Sequence, residues 1–153
     1  MLYFLYMFSK PLFKEFTILS VVFVALHLLA IYLDLYWVVD EFDSFMHFLG
    51  GAWVVLGVLW LYFCSGYFSP EKRQIRQYFL ISGLGLIFFS VLWEIYELIA
   101  GVTFVEGKEY PFDTALDFIM DLLGGMAACF YAYMKEIKDF KKLPKKFTSD
   151  SKR

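Results

Sequence analysis

Four apolar runs of about twenty residues each, in a chain of only 153, leave little that this sequence can become except helices through a bilayer. The runs cover residues 16–38, 45–67, 78–100 and 115–134. Inside hydrocarbon every backbone N–H and C=O must find a partner within the protein, which favours helices over open strands. The polar residues left over are too few for a separate water-soluble domain: 60% of the chain is hydrophobic, against about 45–50% in soluble domains. The fold expected is all-α, an integral membrane four-helix bundle in one unit. An interfacial segment at 1–15 precedes a transmembrane domain at 16–134, and a basic tail follows at 135–153.

Charge orients the bundle. Of the 14 lysines and arginines, all but Lys108 fall in three places: Lys10 and Lys14; Lys72, Arg73 and Arg76; and the tail from Lys135 to Arg153. Four spans put these three places on one side, and the positive-inside rule makes that side the cytoplasm. Both termini are thus expected inside, in a multi-pass protein of the inner (cytoplasmic) membrane. The first 15 residues are too short to span and carry no small-residue cleavage site, so they read as an interfacial segment, with Pro11 placed to open the first helix. The tail reads as a solvated end that is also attracted to anionic lipid. Lipid is the expected partner, and nucleic acid is not.

Against this apolar background stand five carboxylates and a histidine: Asp43 and His47 in the second run, Glu94 and Glu97 in the third, Asp117 and Asp121 in the fourth. No lysine or arginine lies between Lys14 and Lys72, or between Arg76 and Ala100, to neutralise them. An aspartate at the centre of a spanning helix costs about 2.5–3.5 kcal/mol on insertion scales, so such residues face the interior of a bundle and mark function. Each pair is spaced i,i+4 or i,i+3 and shares one helix face. At 1.5 Å per residue, the three pairs fall at one level, about one to two turns below the outer surface. Asp113 and Tyr96 are expected at the rim of this cluster, and His27 deeper on the first span. Asp43 and Asp117 also admit a plainer role, as acids favoured by a helix N-terminus. Trp37, Trp53, Trp60 and Trp93 read as interfacial and packing residues, and Cys64 and Cys129 as structural thiols.

Two segments repeat at an offset of 74 residues: Asp43 to Gly51 and Asp117 to Gly125 share D-x-x-M-[HD]-x-L-G-G, each after an apolar residue. Each opens a helix entering from outside, which suggests two helical hairpins repeated in parallel. Chance likeness of two apolar helices is the alternative. Gly50, Gly51, Gly124 and Gly125 are placed to let the second and fourth spans approach closely, with Gly83 and Gly85 doing the same on the third.

One imidazole among carboxylates suits a hard or borderline divalent ion: Mg²⁺, Mn²⁺, Zn²⁺, Fe²⁺ or Ca²⁺. One such ion leaves about −3 on five carboxylates and two leave about −1, so one or two ions or added protons are needed. His47, Glu94, Glu97, Asp117 and Asp121 are the expected ligands, with Glu97 and Asp43 as the carboxylates for catalysis. Bundle sites for two irons use Glu-x-x-His pairs, and this chain has Glu-x-x-Glu instead.

The motifs D-x-x-x-H-F-x-G-G (Asp43, His47, Phe48, Gly50, Gly51), W-E-[IL]-x-E (Trp93, Glu94, Glu97) and D-T-x-x-D-x-x-x-D-x-x-G-[GA] (Asp113, Thr114, Asp117, Asp121, Gly124, Gly125) resemble those of YjdF-type and, more distantly, VanZ-like small polytopic inner-membrane proteins. That resemblance implies a helical membrane fold with clustered acids and supplies no reaction. Asp117-x-x-x-Asp121 also resembles the end of the CDP-alcohol phosphotransferase signature, whose front half is absent here. Three functions stay open. The first is a metal-dependent hydrolase or transferase acting on a lipid or lipid-linked phosphate. The second is a divalent-cation or proton transporter, for which a homodimer would have to complete the path. The third is a non-catalytic structural or metal-binding membrane protein.

Overall fold

The computed structural model describes the backbone of residues 11–39, 41–68, 74–100 and 110–142, and side chains within 11–39, 41–68, 74–99 and 111–135. The helices are α1 (Phe13–Tyr32), α2 (Leu35–Val38), α3 (Phe42–Leu59, continued by a π-helical turn at Trp60–Cys64), α4 (Ile75–Ala100) and α5 (Tyr110–Lys142). No strand occurs among the described residues. Four stretches are long and apolar enough to cross a bilayer: Phe13–Tyr32, Phe42–Cys64, Ile75–Ile99 and Pro111–Lys135. The fold is the expected all-α membrane bundle. Residues 1–10, Lys72, Arg73, Lys108 and the tail beyond 142 lie outside the described residues, and with them most of the interfacial segment and much of the charge pattern.

Two boundaries differ from expectation. The first span ends at Tyr32, six residues short of 38, because Leu33 N–H closes on Leu29 O at 2.9 Å and Asp34 takes a left-handed φ of 54°. Aspartate is one of the few side chains that tolerate this region. The chain turns there, and the apolar residues 35–38 form the short α2 instead of prolonging the span. At the other end, α1 opens behind Leu12, whose φ is 65°. Pro11 therefore sits in a turn and not at the first helical position.

Helices α3 and α5 form the centre and run parallel, since their contacts advance together: His47 meets Asp117 and Asp121, Gly51 meets Asp121, and Val55 meets Gly125. Glycine makes this approach possible. A Cβ on Gly51 would sit 2.1 Å from the Asp121 carbonyl oxygen, and one on Gly124 would sit 1.8 Å from that of Phe48. Both obstacles are backbone and cannot rotate away. Gly125 is tight against Leu86 and Val55 side chains at 3.0 and 3.1 Å, and Gly50 has ordinary clearance from Phe23 at 3.7 Å. On α4 the two glycines divide: Gly85 faces Val58 at 2.8 Å, whereas Gly83 meets nothing within 4 Å and takes no part in packing.

Helix α4 runs antiparallel beside α5, pairing Ser90 with Asp121 and Leu86 with Gly125. Helix α1 lies antiparallel on α3, through Phe23 and Gly50, Ser20 and Trp53, and Phe16 and Gly57. It is peripheral: Ala30 is its one buried residue. Below the level of the acids the interior is apolar and closed by Val55, Leu59, Phe63, Tyr78, Leu86 and Cys129. Both cysteines are buried. At the end of the bundle away from the acids, Lys135 of α5 forms an ion pair with Glu15 of α1, to which the Tyr131 hydroxyl also donates at 3.3 Å. Large apolar side chains such as Ile18, Leu28, Leu84 and Ile87 cover the outward faces of α1 and α4, as lipid contact requires.

Candidate metal centre

The parallel approach of α3 and α5 sets the site. Their first turns carry Asp43 and His47 on one helix and Asp113, Asp117 and Asp121 on the other, and the glycines one turn below bring these faces together. The C-terminal part of α4, running the opposite way, adds Ser90, Trp93, Glu94 and Glu97 at the same level. His47, Ser90, Glu94, Glu97, Asp117 and Asp121 are all buried. The structure brings together every residue of the expected cluster.

His47 stands at its centre. Its Nε2 lies 4.0 Å from Asp43 Oδ1 and 3.8 Å from Asp117 Oδ1, and its Nδ1 lies 3.4 Å from Asp121 Oδ1. Three neighbouring groups are positioned to orient the acids. Ser90 donates a hydrogen bond to Asp121 Oδ2, Trp93 Nε1–H donates to Glu97 Oε1 at 2.8 Å, and the Thr114 hydroxyl donates to Glu94 Oε2 at 3.0 Å. Asp117 has no such partner. It is 3% exposed, and its Oδ1 is buried with no hydrogen bond among the described residues.

Three overlapping triads place one ligand atom per residue within 4.8 Å of one another: Asp43, His47 and Glu97; His47, Glu94 and Asp117; Asp43, Asp113 and Asp117. Asp121 belongs to none of the three and acts on His47 from the side. The sharing of Asp43, His47 and Asp117 between triads is the arrangement that one or two bridged cations would need.

Several residues take places that the sequence did not indicate. His27 is not deep in the bundle. Because α1 stops at Tyr32, His27 lies near its outer end, 2.8 Å from the Tyr36 hydroxyl through Nδ1, and lines a cavity with Asp43, His47 and Asp121. Tyr36 reaches it because α2 folds back over the bundle, edge to face with Phe42 at 5.3 Å. Burial, helped by Asp43 and Glu97, pushes the Tyr36 hydroxyl up to about 12. Trp93 is more than an interfacial ring, since it holds Glu97. Its spacing of four residues from that acid was the available signal. Tyr96 turns outward, against Trp93 and away from the acids.

No curated protein and no solved structure matches this chain. Residues 1–137 match a family described as "Predicted membrane protein (DUF2238)", and the chain belongs to that membrane protein family.

Proposed function

We propose that this protein is a divalent-metal-dependent enzyme of the inner membrane. It would hydrolyse or transfer the phosphate of a lipid or lipid-linked substrate at the outer leaflet. The observation that carries the reading is Asp117, a carboxylate buried at 3% exposure inside two of the three ligand triads, whose Oδ1 accepts no hydrogen bond among the described residues and has His47 Nε2 3.8 Å away. Leaving a buried acceptor unsatisfied costs about 1–3 kcal/mol, and more for a charged group. Among the described residues the basic group near these acids is the His47 imidazole, within 4.0 Å of Asp43, Asp117 and Asp121. A divalent ion satisfies both the lone oxygen and the charge.

His47, Glu94 and Asp117 would hold one ion; Asp43, with Glu97 or Asp113, would help hold a second. When bound, such ions would polarise a phosphoryl oxygen and acidify a bound water, to a pKa of about 7 in the case of zinc. The chain supplies the rest. Trp93 orients Glu97 as the carboxylate that takes up a proton, with Asp43 beside it. Ser90 and His47 fix Asp121, and the apolar interior below excludes water. That same interior, closed by Val55, Leu59, Phe63 and Tyr78, weighs against a transport path through one chain, and a homodimer is not needed to complete the site. The YjdF-type resemblance agrees with a membrane protein of clustered acids.

Elemental analysis of the purified protein tests the reading. One or two divalent ions per chain are expected, falling at least about tenfold in occupancy in Asp117→Asn and Asp121→Ala, in line with the loss of metal-site partners. Wild-type protein that takes up no Mg²⁺, Mn²⁺, Zn²⁺, Fe²⁺ or Ca²⁺ would overturn it.

A further inference from the structure

The ligand triads differ in chemistry. His47, Glu94 and Asp117 offer a ring nitrogen and two carboxylates, whereas Asp43, Asp113 and Asp117 offer oxygen alone. Asp117 belongs to both, and its buried Oδ1 accepts no hydrogen bond among the described residues. Imidazole suits borderline ions such as Zn²⁺, while carboxylate and water suit Mg²⁺, Ca²⁺ and Mn²⁺.

His47 is held as a ligand from its far side. Asp121, which accepts a hydrogen bond from Ser90 on Oδ2, turns Oδ1 to His47 Nδ1 at 3.4 Å. A carboxylate at the second nitrogen of a metal-binding imidazole fixes its tautomer and its orientation. Nε2 is left facing Asp117 Oδ1 at 3.8 Å and Asp43 Oδ1 at 4.0 Å. Both separations are too long for a hydrogen bond. They are close to the span across a cation whose bonds to nitrogen and oxygen are each about 2.0–2.2 Å. An ion at Nε2 takes the place of a proton there, and the imidazole then no longer offsets the charge of Asp43 and Asp113.

Burial separates the two triads. His47, Glu94 and Asp117 are 6%, 9% and 3% exposed. Asp43 has a side chain 22% exposed, and Asp113 is half-buried. Both lie in the first turns of their helices, and Asp43 borders a cavity of about 120 Å³. That space admits the waters that hard ions retain. Two divalent ions also balance the four carboxylates of these two triads, Asp43, Glu94, Asp113 and Asp117.

Resting on the metal reading above, we infer that the centre holds two unlike ions joined by Asp117. A borderline ion of the zinc class sits at depth on His47, Glu94 and Asp117. A hard ion of the manganese or magnesium class sits at the rim on Asp43 and Asp113, shares Asp117, and exchanges with the water outside. Asp113 is therefore a metal ligand.

Chelator-stripped full-length protein in neutral detergent provides the test. It is loaded with one equivalent of Zn²⁺ and titrated with Mn²⁺; free Mn²⁺ is read by electron paramagnetic resonance and bound zinc by elemental analysis. Wild type is expected to keep its zinc in excess Mn²⁺ and to bind one Mn²⁺ beside it. Asp113→Asn should bind Mn²⁺ more than about tenfold more weakly, since even outer partners of a metal are worth about 10–100-fold. Its zinc should stay, which also shows that the variant is folded. Asp113→Glu, which restores a carboxylate, should regain part of the Mn²⁺ affinity. Unchanged Mn²⁺ affinity in Asp113→Asn, or wild type that binds zinc and no Mn²⁺, overturns the rim site and leaves the metal reading standing. Loss of zinc together with Mn²⁺ in Asp113→Asn overturns the division into two sites, and expulsion of zinc by excess Mn²⁺ overturns their unlike preference. Wild type that takes up neither ion defeats the metal reading and this inference together.

Discussion

At the scale of single residues, the acids differ in what holds them. Asp121 is gripped by Ser90 and His47, Glu97 by Trp93 and Glu94 by Thr114, whereas Asp117 has a buried oxygen that accepts no hydrogen bond among the described residues. Groups that orient metal ligands are commonly worth about 10–100-fold in affinity. Ser90→Ala and Trp93→Phe should each weaken ion binding within that range while stoichiometry at saturation stays that of wild type. Titration of an ion into chelator-stripped protein measures it, and affinities equal to wild type would show that neither side chain orients its acid. The acids themselves were legible in the sequence, because a carboxylate in an apolar run has no inexpensive explanation. Ser90 was not, since serine is common in membrane helices, and the four-residue spacing of Trp93 from Glu97 was outweighed because tryptophan commonly marks the interface. Only the contact with a particular oxygen separates them from that background.

Helix pairing rests on glycines of unequal weight. Gly51 and Gly124 each abut the backbone of the opposite helix, and Gly83 faces open space. Adding a methyl group to a packed interior costs about 1–3 kcal/mol, occasionally more. Gly51→Ala and Gly124→Ala should lie at or above the top of that range and lower the melting temperature in detergent sharply. Gly83→Ala should be neutral or slightly stabilising, because alanine is the better helix former by about 0.8–1 kcal/mol. Equal melting temperatures for all three would contradict the close α3–α5 crossing. The repeated sequence pointed to both Gly-Gly pairs alike. Within each pair the helix turns by about 100° per residue, so only one member meets the partner's backbone, and rotation about the axis decides which.

For the whole molecule, the charge of the loops predicts that the end bearing the acids faces outward. Val38 and Tyr67 are exposed at opposite ends of the bundle, while the native Cys64 and Cys129 are buried and form a quiet background. A membrane-impermeant thiol reagent applied to intact cells should label Val38→Cys and spare Tyr67→Cys. The reverse pattern would invert the orientation and place the acidic cavity on the cytoplasmic side. The Glu15–Lys135 ion pair ties α1 to α5 at the inner end, so the peripheral helix is anchored below and leaves the outer cavity flanked by its rings. Both partners are partly exposed, and a pair of that kind contributes about 0–1 kcal/mol. Lys135→Ala is accordingly expected to leave ion binding intact, as read by elemental analysis.

Hydrophobic run length, loop charge and three- or four-residue spacing are local properties, and they determined the number of spans, their expected direction and the shared depth of the acids. Contact between helices is not local. Each helix fixes its faces relative to its own axis and says nothing of its rotation against a neighbour or of where a turn will cut it short. Tertiary structure alone ended α1 at Tyr32, folded Tyr36 back onto His27, turned Tyr96 and Gly83 away, and left an Asp117 oxygen with no hydrogen bond among the described residues at the centre of the site.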